Sequence, residues 1–207
     1  MRASLENKVA LITGGASGIG EACARLFASY GCQTIVADIN VARARIVADS
    51  IGGHAVALDV ANEVGVDSAV AQIEADIGPV DILVTCAGVI QRPLAVSDLS
   101  MEDWDTVVRI DQRGTYVTCR SVGLRMAHRR SGAIVNIASI AGMRSMPLHA
   151  YAPAKAAVIS MTECLAAEWG RSGVRVNTVS PGYTRTPALQ DAINKGERDV
   201  SALEDTS

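Results

Sequence analysis

Short runs of β-branched and aliphatic residues alternate with longer stretches of helical character along the whole chain. Strands separated by helices of about 10–15 residues or more are typical of repeated βαβ units. Because the crossover between two parallel strands is right-handed, such units form an open parallel sheet with helices on both faces. The sequence therefore predicts a three-layer α/β fold, with a doubly wound parallel sheet between two layers of helices. The predicted strands cover residues 8–13, 33–37, 54–58, 80–86, 133–138 and 174–179.

The stretches between these strands predict the helices. A helix follows a glycine-rich segment and ends near residue 30, and others cover 41–50 and 63–76. Two long helices are expected over 101–130 and 149–169, and a short one begins near 187. No repeat, low-complexity tract or linker interrupts the 207 residues, so we expect one domain over 1–207.

Composition restricts the core, the compartment and the partners. Hydrophobic residues make up 49% of the chain and aromatic residues 3%, so the core must consist of Val, Ile, Leu and Ala. The net charge of −3 argues against nucleic acid as the main partner. No signal peptide or membrane span is expected, and the three histidines lack the spacing of metal ligands. The five cysteines form no C-x-x-C pair, which favours buried reduced thiols in a cytoplasmic protein.

The glycine-rich segment 13–20, with the sequence TGGASGIG, follows the first strand and opens a helix. Glycines allow a tight turn and let a pyrophosphate approach the backbone. The helix N-terminus adds amide groups without helical partners and a partial positive charge. In this strand–loop–helix context, the segment predicts a dinucleotide-binding loop.

Two acidic residues follow the second and third strands. Asp38 lies eighteen residues after Gly20, where a carboxylate accepts hydrogen bonds from the adenosine ribose hydroxyls and repels a 2′-phosphate. This position predicts NAD(H) rather than NADP(H), and the alternative interpretation of Asp38 is a helix cap. Asp59 is a candidate acceptor for the adenine amino group, with the N-cap of the next helix as its alternative.

Ser139, Tyr151 and Lys155 form a candidate catalytic set. Tyr151 and Lys155 are four residues apart on a predicted helix and share one of its faces. A tyrosine hydroxyl titrates near pH 10, so proton transfer near neutrality needs roughly 4 kcal/mol of phenolate stabilisation. A neighbouring ammonium and a cationic nicotinamide both supply such stabilisation. Ser139 ends the fifth predicted strand, at the sheet edge where ligands bind in open α/β folds.

Taken together, TGGASGIG, Asp38, Ser139, the segment YAPAK from Tyr151 to Lys155, and Pro181-Gly182 resemble the short-chain dehydrogenase/reductase family, in its single-domain oxidoreductase branch. The resemblance covers essentially the whole chain. It implies a Rossmann fold, Tyr151 as general acid/base, Lys155 as holder of the nicotinamide ribose and activator of Tyr151, and Ser139 as the residue that orients substrate. The cofactor contacts that it implies are Gly14, Ser17, Gly18, Ile19, Gly20, Asp38, Asp59, Val60, Ala87, Gly88, Tyr151, Lys155, Pro181, Gly182, Thr184 and Thr186.

Three features depart from the family pattern. Asp111 stands where the family usually has a catalytic Asn, which helps to hold a water beside the lysine largely through its main-chain carbonyl. An aspartate adds a charge that stabilises Lys155 as ammonium and draws it from Tyr151, so we expect reduced activity with an altered pH profile. Thr85-Cys86-Ala87-Gly88 replaces Asn-Asn-Ala-Gly, with an expected loss of stability. The chain also ends at Ser207, inside the expected substrate lid and before a last strand, so we expect it to be part of a longer polypeptide.

The sequence thus predicts an NAD-dependent oxidoreductase that interconverts a secondary alcohol and a ketone by hydride transfer. The alternative is a nucleotide-binding protein of the same fold with little catalysis and a regulatory or assembly role. Met143, Met146, Pro147 and Leu148 are expected to form an apolar wall for a small alcohol or carbonyl substrate. The resemblance also implies a dimer or tetramer built through the two long helices, where Ala154, Ala156 and Ala157 permit close packing.

Overall fold

A computed structural model describes residues 5–196 and contains one six-stranded parallel sheet. The strands are Val9–Thr13 (β1), Gln33–Asp38 (β2), His54–Ala57 (β3), Ile82–Thr85 (β4), Gly132–Ile137 (β5) and Val174–Val179 (β6). They lie in the order β3-β2-β1-β4-β5-β6, so the order reverses between β1 and β4. In open α/β sheets this reversal opens a crevice beyond the carboxyl ends of the strands.

The helices cover both faces of this sheet. They are Gly18–Ser29 (α1), Val41–Ile51 (α2), Glu63–Asp76 (α3), Met101–Val107 (α4), Thr115–Arg129 (α5), Tyr151–Trp169 (α6) and Pro187–Asn194 (α7). Within the range 5–196, none of the helices is long and apolar enough to cross a membrane.

Successive residues of β1 point to opposite sides of the sheet, and two aliphatic clusters result. Leu11 belongs to a cluster that includes residues of α3, α5 and α6, whereas Ile12 packs with residues of α1 and α2. Both residues are fully buried. Val, Ile, Leu and Ala dominate the buried positions, as the composition predicts, and Trp169 is the buried aromatic residue of the larger cluster. The predicted three-layer fold is confirmed.

The long helix predicted over 101–130 is wrong in one respect. A π-helical segment, Val108–Gly114, separates α4 from α5 and widens the backbone at Asp111. The hydrophobic pattern of the sequence does not reveal such a segment. A π-helix has about one more residue per turn than an α-helix, and over a single turn this changes the spacing of apolar residues too little to be recognised. Segments of this kind occur frequently at functional sites.

Several element bounds also differ from the prediction. The strand predicted over 80–86 covers only Ile82–Thr85. At the N-terminal end of the predicted range, the backbone of Val80 bonds to side chains instead of to a neighbouring strand. Its N–H donates to Glu74 Oε1 at 3.2 Å, and its carbonyl accepts from Arg129 Nη2 at 2.9 Å. The predicted start of α6 at 149 shifts to Tyr151. The end of the predicted lid region, up to Ser207, lies outside the described residues.

Candidate active site

Every residue that the sequence analysis assigned to catalysis or to the cofactor lines one cleft at the carboxyl ends of the strands. The cleft has a volume of about 440 Å³ and lies at the reversal of strand order between β1 and β4. Its lining comes from the loops after all six strands, from the starts of α1, α6 and α7, and from the segment between α4 and α5. The structure therefore brings the predicted residues together, while their individual roles remain predictions.

The glycine loop is packed too closely against its neighbours to carry side chains at Gly14 and Gly20. Gly14 has a φ of +63°, and a Cβ atom there would lie 2.7 Å from the backbone nitrogen of Ala87. At Gly20 an added Cβ would collide with the carbonyl oxygen of Gly14, so the helix start and the loop touch directly. Ser17, at the N-cap of α1, makes no side-chain hydrogen bond to the first turn. This end of α1 is therefore suited to an anionic ligand.

Asp38 lies at the end of β2 with its carboxylate held by the backbone. One oxygen accepts from the N–H of Ala16 at 3.1 Å, and the other accepts from the N–H of Asn40 at 2.9 Å. The N-cap of α2 is Asn40, whose side chain accepts from the N–H of Arg43. The alternative interpretation of Asp38 as a helix cap is therefore wrong. The carboxylate is left at the cleft wall, where the sequence analysis expects the adenosine ribose.

Arg43 is a neighbour of the glycine loop that the sequence analysis missed. Its Nε donates to the carbonyl oxygen of Ala16 at 2.8 Å, and its Nη2 lies 3.6 Å from the carboxylate of Glu21. This guanidinium comes from α2 and not from the loop itself. Its contacts with Ala16 and Glu21 hold it close to Ala16, the residue whose N–H donates to Asp38.

Asp59 and Val60 lie in the loop after β3 and line the same cleft as Asp38. The Asp59 carboxylate accepts from the N–H of Ala61 at 2.9 Å and lines the cleft. The N-cap of α3 is Asn62, whose side chain accepts from the N–H of Gly65 at 3.0 Å. The N-cap alternative for Asp59 is therefore wrong, and its carboxylate is oriented by its own turn.

Tyr151 and Lys155 occupy the first and second turns of α6, on the face toward the cleft. The Lys155 side chain is buried, and its Nζ lies 5.5 Å from the centroid of the Tyr151 ring. That ammonium also donates to the carbonyl oxygen of Ile137 at 3.1 Å. Ser139 lies two residues beyond the end of β5 rather than at its end, and its Oγ accepts from the N–H of Ala141. The backbone thus orients both Lys155 and Ser139.

Asp111 is fully buried in the middle of the π-helical segment. Its Oδ2 lies 3.2 Å from Lys155 Nζ, and its Oδ1 accepts from the N–H of Val89 at 2.8 Å. Burial raises the pKa of the Asp111 carboxyl above its ordinary value, and the Lys155 ammonium opposes that rise. The Asp111 main-chain carbonyl accepts from Thr115 Oγ1 at 2.8 Å, so the carboxylate is the group that reaches Lys155.

Comparison with known proteins decides the family. The family model described as short chain dehydrogenase matches residues 8–197. This chain belongs to the short-chain dehydrogenase family. D-threitol dehydrogenase of Mycolicibacterium smegmatis is 43% identical over 188 residues, which are 88% of this chain and 72% of that protein. The family is one of oxidoreductases that bind a nicotinamide cofactor, which agrees with the cleft described above.

Solved structures share the fold of this chain, although their names differ in activity. A crystal structure named ribose-5-phosphate isomerase, from Brucella melitensis 16M, is 51% identical and superposes with a TM-score of 0.96, covering 98% of this chain and 79% of that one. A 3-ketoacyl-(acyl-carrier-protein) reductase from Brucella melitensis, solved with NADH, is 36% identical with a TM-score of 0.87, covering 90% of this chain and 80% of that one.

The apolar wall of this short-chain dehydrogenase differs partly from the prediction. Met146 and Leu148 line the cleft as expected, but Met143, which is 67% exposed, and Pro147, which is also exposed, lie outside it. Val89 and Ile90, from the loop after β4, line the cleft and were missed by the sequence analysis. The available signal was their position, because they directly follow the Ala87-Gly88 pair that the resemblance assigns to the cofactor.

The cysteines are free, but the prediction that they are buried is wrong for three of the five. Cys32 and Cys119 are buried, Cys23 and Cys86 are partly buried, and Cys164 is exposed. Cys86 lines the cleft, and a hydrogen bond between the Cys23 and Cys86 thiols lowers the pKa of Cys23 to about 7 and raises that of Cys86. Within residues 5–196, no group of three or more His, Cys, Asp or Glu side chains could hold a metal ion.

Proposed function

We propose that this short-chain dehydrogenase oxidises a secondary alcohol to a ketone with NAD, and catalyses the reverse reduction. The observation that carries the proposal is the convergence of Ser139, Tyr151 and Lys155 on the cleft that also contains the glycine loop and Asp38. The chemistry needs a proton-transfer group and a dinucleotide site in one cavity, and this arrangement supplies candidates for both.

The described residues fit a nicotinamide dinucleotide. Gly14 approaches Ala87, and Gly20 approaches Gly14, so closely that a Cβ atom at either glycine would collide with the backbone and displace the loop. The free end of α1 suits the pyrophosphate, and the Asp38 carboxylate suits unmodified ribose hydroxyls rather than a 2′-phosphate. When bound, NAD supplies the hydride acceptor. Asp38 is therefore the residue on which the choice of NAD over NADP depends.

Tyr151, in its phenolate form, takes the proton from the substrate hydroxyl and becomes a neutral phenol, while the hydride of the substrate carbon would pass to NAD. The Lys155 ammonium, 5.5 Å from the ring, stabilises the phenolate that must be present before this proton transfer. Ser139 donates a hydrogen bond to the substrate oxygen and orients it toward Tyr151. Asp111 shares the Lys155 ammonium with Tyr151, so its charge moderates the stabilisation that the lysine provides.

The substrate class that we favour is a small secondary alcohol. Met146, Leu148, Val89 and Ile90 give the substrate end of the cleft an aliphatic lining. The similarity to D-threitol dehydrogenase supports a diol or polyol as the first compound to test. A 3-oxoacyl thioester is the second, because of the similarity to the 3-ketoacyl reductase.

We also propose an oligomer built on the π-helical segment, α5 and α6, where a concave surface contains Gln112, Tyr116, Met161 and Cys164. Ala154 cannot take part as the sequence analysis expected, because it is 1% exposed and packs with Val107 and Ala150 inside the chain. Sedimentation equilibrium tests this proposal, since a monomer at micromolar concentration would contradict it.

Calorimetric titration with NADH, and with NADPH in comparison, is the first test of the function. We expect NADH to bind more tightly, and oxidation of D-threitol or another alcohol of a polyol panel to produce NADH. Tyr151→Phe should retain NADH binding and lose turnover. Binding without turnover in the wild type would support the alternative, a nucleotide-binding protein with little catalysis. Conversion of ribose 5-phosphate to ribulose 5-phosphate without added cofactor would instead favour an isomerase.

A further inference from the structure

The N-terminus of the catalytic helix α6 is capped by a side chain from a distant part of the chain. Gln91, in the loop after β4, accepts through its Oε1 from the N–H of Ala150 at 2.8 Å and from the N–H of Tyr151 at 3.0 Å. We propose that Gln91 is a positioning residue for the reaction, because it fixes the backbone from which Tyr151 projects. This inference rests on the proposed function of Tyr151.

The need for an external cap follows from the local sequence. A helix leaves its first N–H groups without helical partners, and a Ser, Thr, Asp or Asn at the N-cap usually satisfies one of them. In α6 the N-cap residue is Ala150, whose methyl group can accept nothing. Gln91 supplies the missing acceptor from 59 residues away along the chain.

The remaining donors of the first turn have other solutions. The N–H of Ala152 donates to the carbonyl oxygen of Leu148 at 2.9 Å, and Pro153 has no N–H to satisfy. The N–H of Ala154 donates to the carbonyl oxygen of Ala150 at 3.1 Å. The amides of Ala150 and Tyr151 are thus the ones that depend on Gln91, and one of them belongs to the proposed acid/base residue itself.

The position of Gln91 suits a positioning role rather than ligand contact. It is 5% exposed and is not among the residues that line the cleft. The loop that carries it is also held at Val89, whose N–H donates to Asp111 Oδ1 at 2.8 Å. One short loop therefore contacts the carboxylate beside Lys155 and the backbone of Tyr151. It sets the two residues of the proposed proton-transfer pair relative to each other.

The consequence is a specific pattern of kinetic defects. Without the Gln91 acceptor the first turn of α6 frays, and Tyr151, as its first helical residue, moves before Lys155 does. A misplacement of about 1 Å of a reacting group costs roughly 100-fold in rate. Gln91 is not among the residues that line the cleft, so cofactor affinity should remain close to that of the wild type.

Two substitutions at Gln91 separate acceptor chemistry from bulk. Gln91→Met keeps the length of the side chain but removes the acceptor. We expect its kcat to fall about 10- to 100-fold. The substrate for this assay is D-threitol, or the alcohol of the polyol panel that the wild type oxidises fastest. Gln91→Glu keeps an acceptor that a helix N-terminus favours, and should restore kcat to within about 5-fold of the wild type. The Kd of NADH, measured calorimetrically, should change less than about 2-fold in both, because no cofactor-lining residue is altered.

Asn62→Ala is the matched control, because it removes the N-cap of α3 and leaves α6 intact. It should lower the melting temperature without lowering kcat. Amide exchange of residues 150 and 151 gives a readout that does not depend on turnover, and it should accelerate in Gln91→Met alone.

The outcomes separate this inference from the proposed function. Loss of turnover in Tyr151→Phe together with wild-type kcat in Gln91→Met would overturn the positioning role of Gln91 and leave the proposed function standing. Turnover that survives in Tyr151→Phe would overturn both. Equal loss of kcat in Gln91→Met and Asn62→Ala would mean that general destabilisation, not positioning, explains the defect. Faster exchange with reduced kcat in Gln91→Met, and rescue by Gln91→Glu, would support the inference.

Discussion

The Nζ of Lys155 lies 3.2 Å from Asp111 Oδ2, and both side chains are buried at the base of the cleft. Lys155 is also the residue that faces the Tyr151 ring. In the mechanism that we propose, the ammonium is therefore shared between the Asp111 carboxylate and Tyr151, which carries negative charge only in its phenolate form. Asp111 competes with the Tyr151 phenolate for the same positive charge.

Asp111→Asn should shift the pH–rate profile for alcohol oxidation toward lower pH. The substitution keeps an oxygen that can accept from Val89 but removes a buried negative charge that disfavours the phenolate. The raised pKa of Asp111 also means that it takes up a proton at a higher pH than an exposed aspartate. On acidification the wild type should thus lose the ion pair between Asp111 and Lys155. The variant has no such pair, so this step should be absent from its profile.

Steady-state rates from pH 5 to 10 test this prediction, with Asp105→Asn as the control. Asp105 is an exposed acid of α4, so its substitution should leave the profile unchanged. Superimposable profiles for Asp111→Asn and the wild type would remove Asp111 from the catalytic argument.

Asp38→Ala should weaken the preference for NADH over NADPH by about tenfold, which corresponds to ~1.4 kcal/mol. The carboxylate that repels a 2′-phosphate is lost, while the Arg43 guanidinium stays close to the loop through Ala16. Calorimetric Kd values for both cofactors measure the ratio. Asp49→Ala, at an exposed position of α2, should not alter it. An unchanged ratio in Asp38→Ala would contradict the assigned role.

Gly20→Ala should abolish NADH binding and destabilise the fold by roughly 1–3 kcal/mol, as expected for overpacking. Its new methyl group would collide with the carbonyl oxygen of Gly14 and push the helix start away from the loop. Gly170→Ala is the matched control, because an added Cβ there meets nothing within 4 Å. Thermal unfolding and calorimetry on both variants measure the difference, and wild-type affinity in Gly20→Ala would refute the close-approach argument.

Cys23 should react with iodoacetamide at a rate that rises steeply between about pH 6 and pH 8, since the thiolate is the nucleophile. Its pKa is lowered to about 7 by the hydrogen bond with Cys86, whereas burial raises the pKa of Cys119 to about 12. Peptide mass spectrometry after timed alkylation should find Cys23 modified and Cys119 unmodified at neutral pH. In Cys86→Ala the rise should move to higher pH, and a profile that does not move would exclude Cys86 as its cause.

The parts of the site that could be predicted from sequence are those that depend on local spacing. The glycine loop, and the four-residue separation of Tyr151 and Lys155, act through their own strand–loop–helix or helix geometry. Asp38 could be predicted as well, because the end of a strand is fixed by the change in hydrophobic pattern. In each case the residues are close in sequence, or they lie at the carboxyl ends of parallel strands, which meet at one edge of the sheet.

The remainder depends on contacts that spacing does not encode. Gln91 caps α6 from 59 residues away, and nothing in its neighbours distinguishes it from a polar loop residue. Arg43 reaches Ala16 across 27 positions for the same reason. Ala154 looks like a surface residue for close packing between subunits, yet its own chain covers it. The π-helical turn at Asp111 changes the backbone without changing the pattern of residue types.

The strand order reverses between β1 and β4, and the cleft at this reversal is lined by segments that extend from residue 14 to residue 189. A ligand of that cleft binds only when both halves of the sheet are assembled, so its binding free energy adds to the folding free energy of the whole. By mass action, NADH at 100 times its Kd would add about 2.7 kcal/mol to stability. The cellular lifetime of this dehydrogenase would then follow the supply of its cofactor.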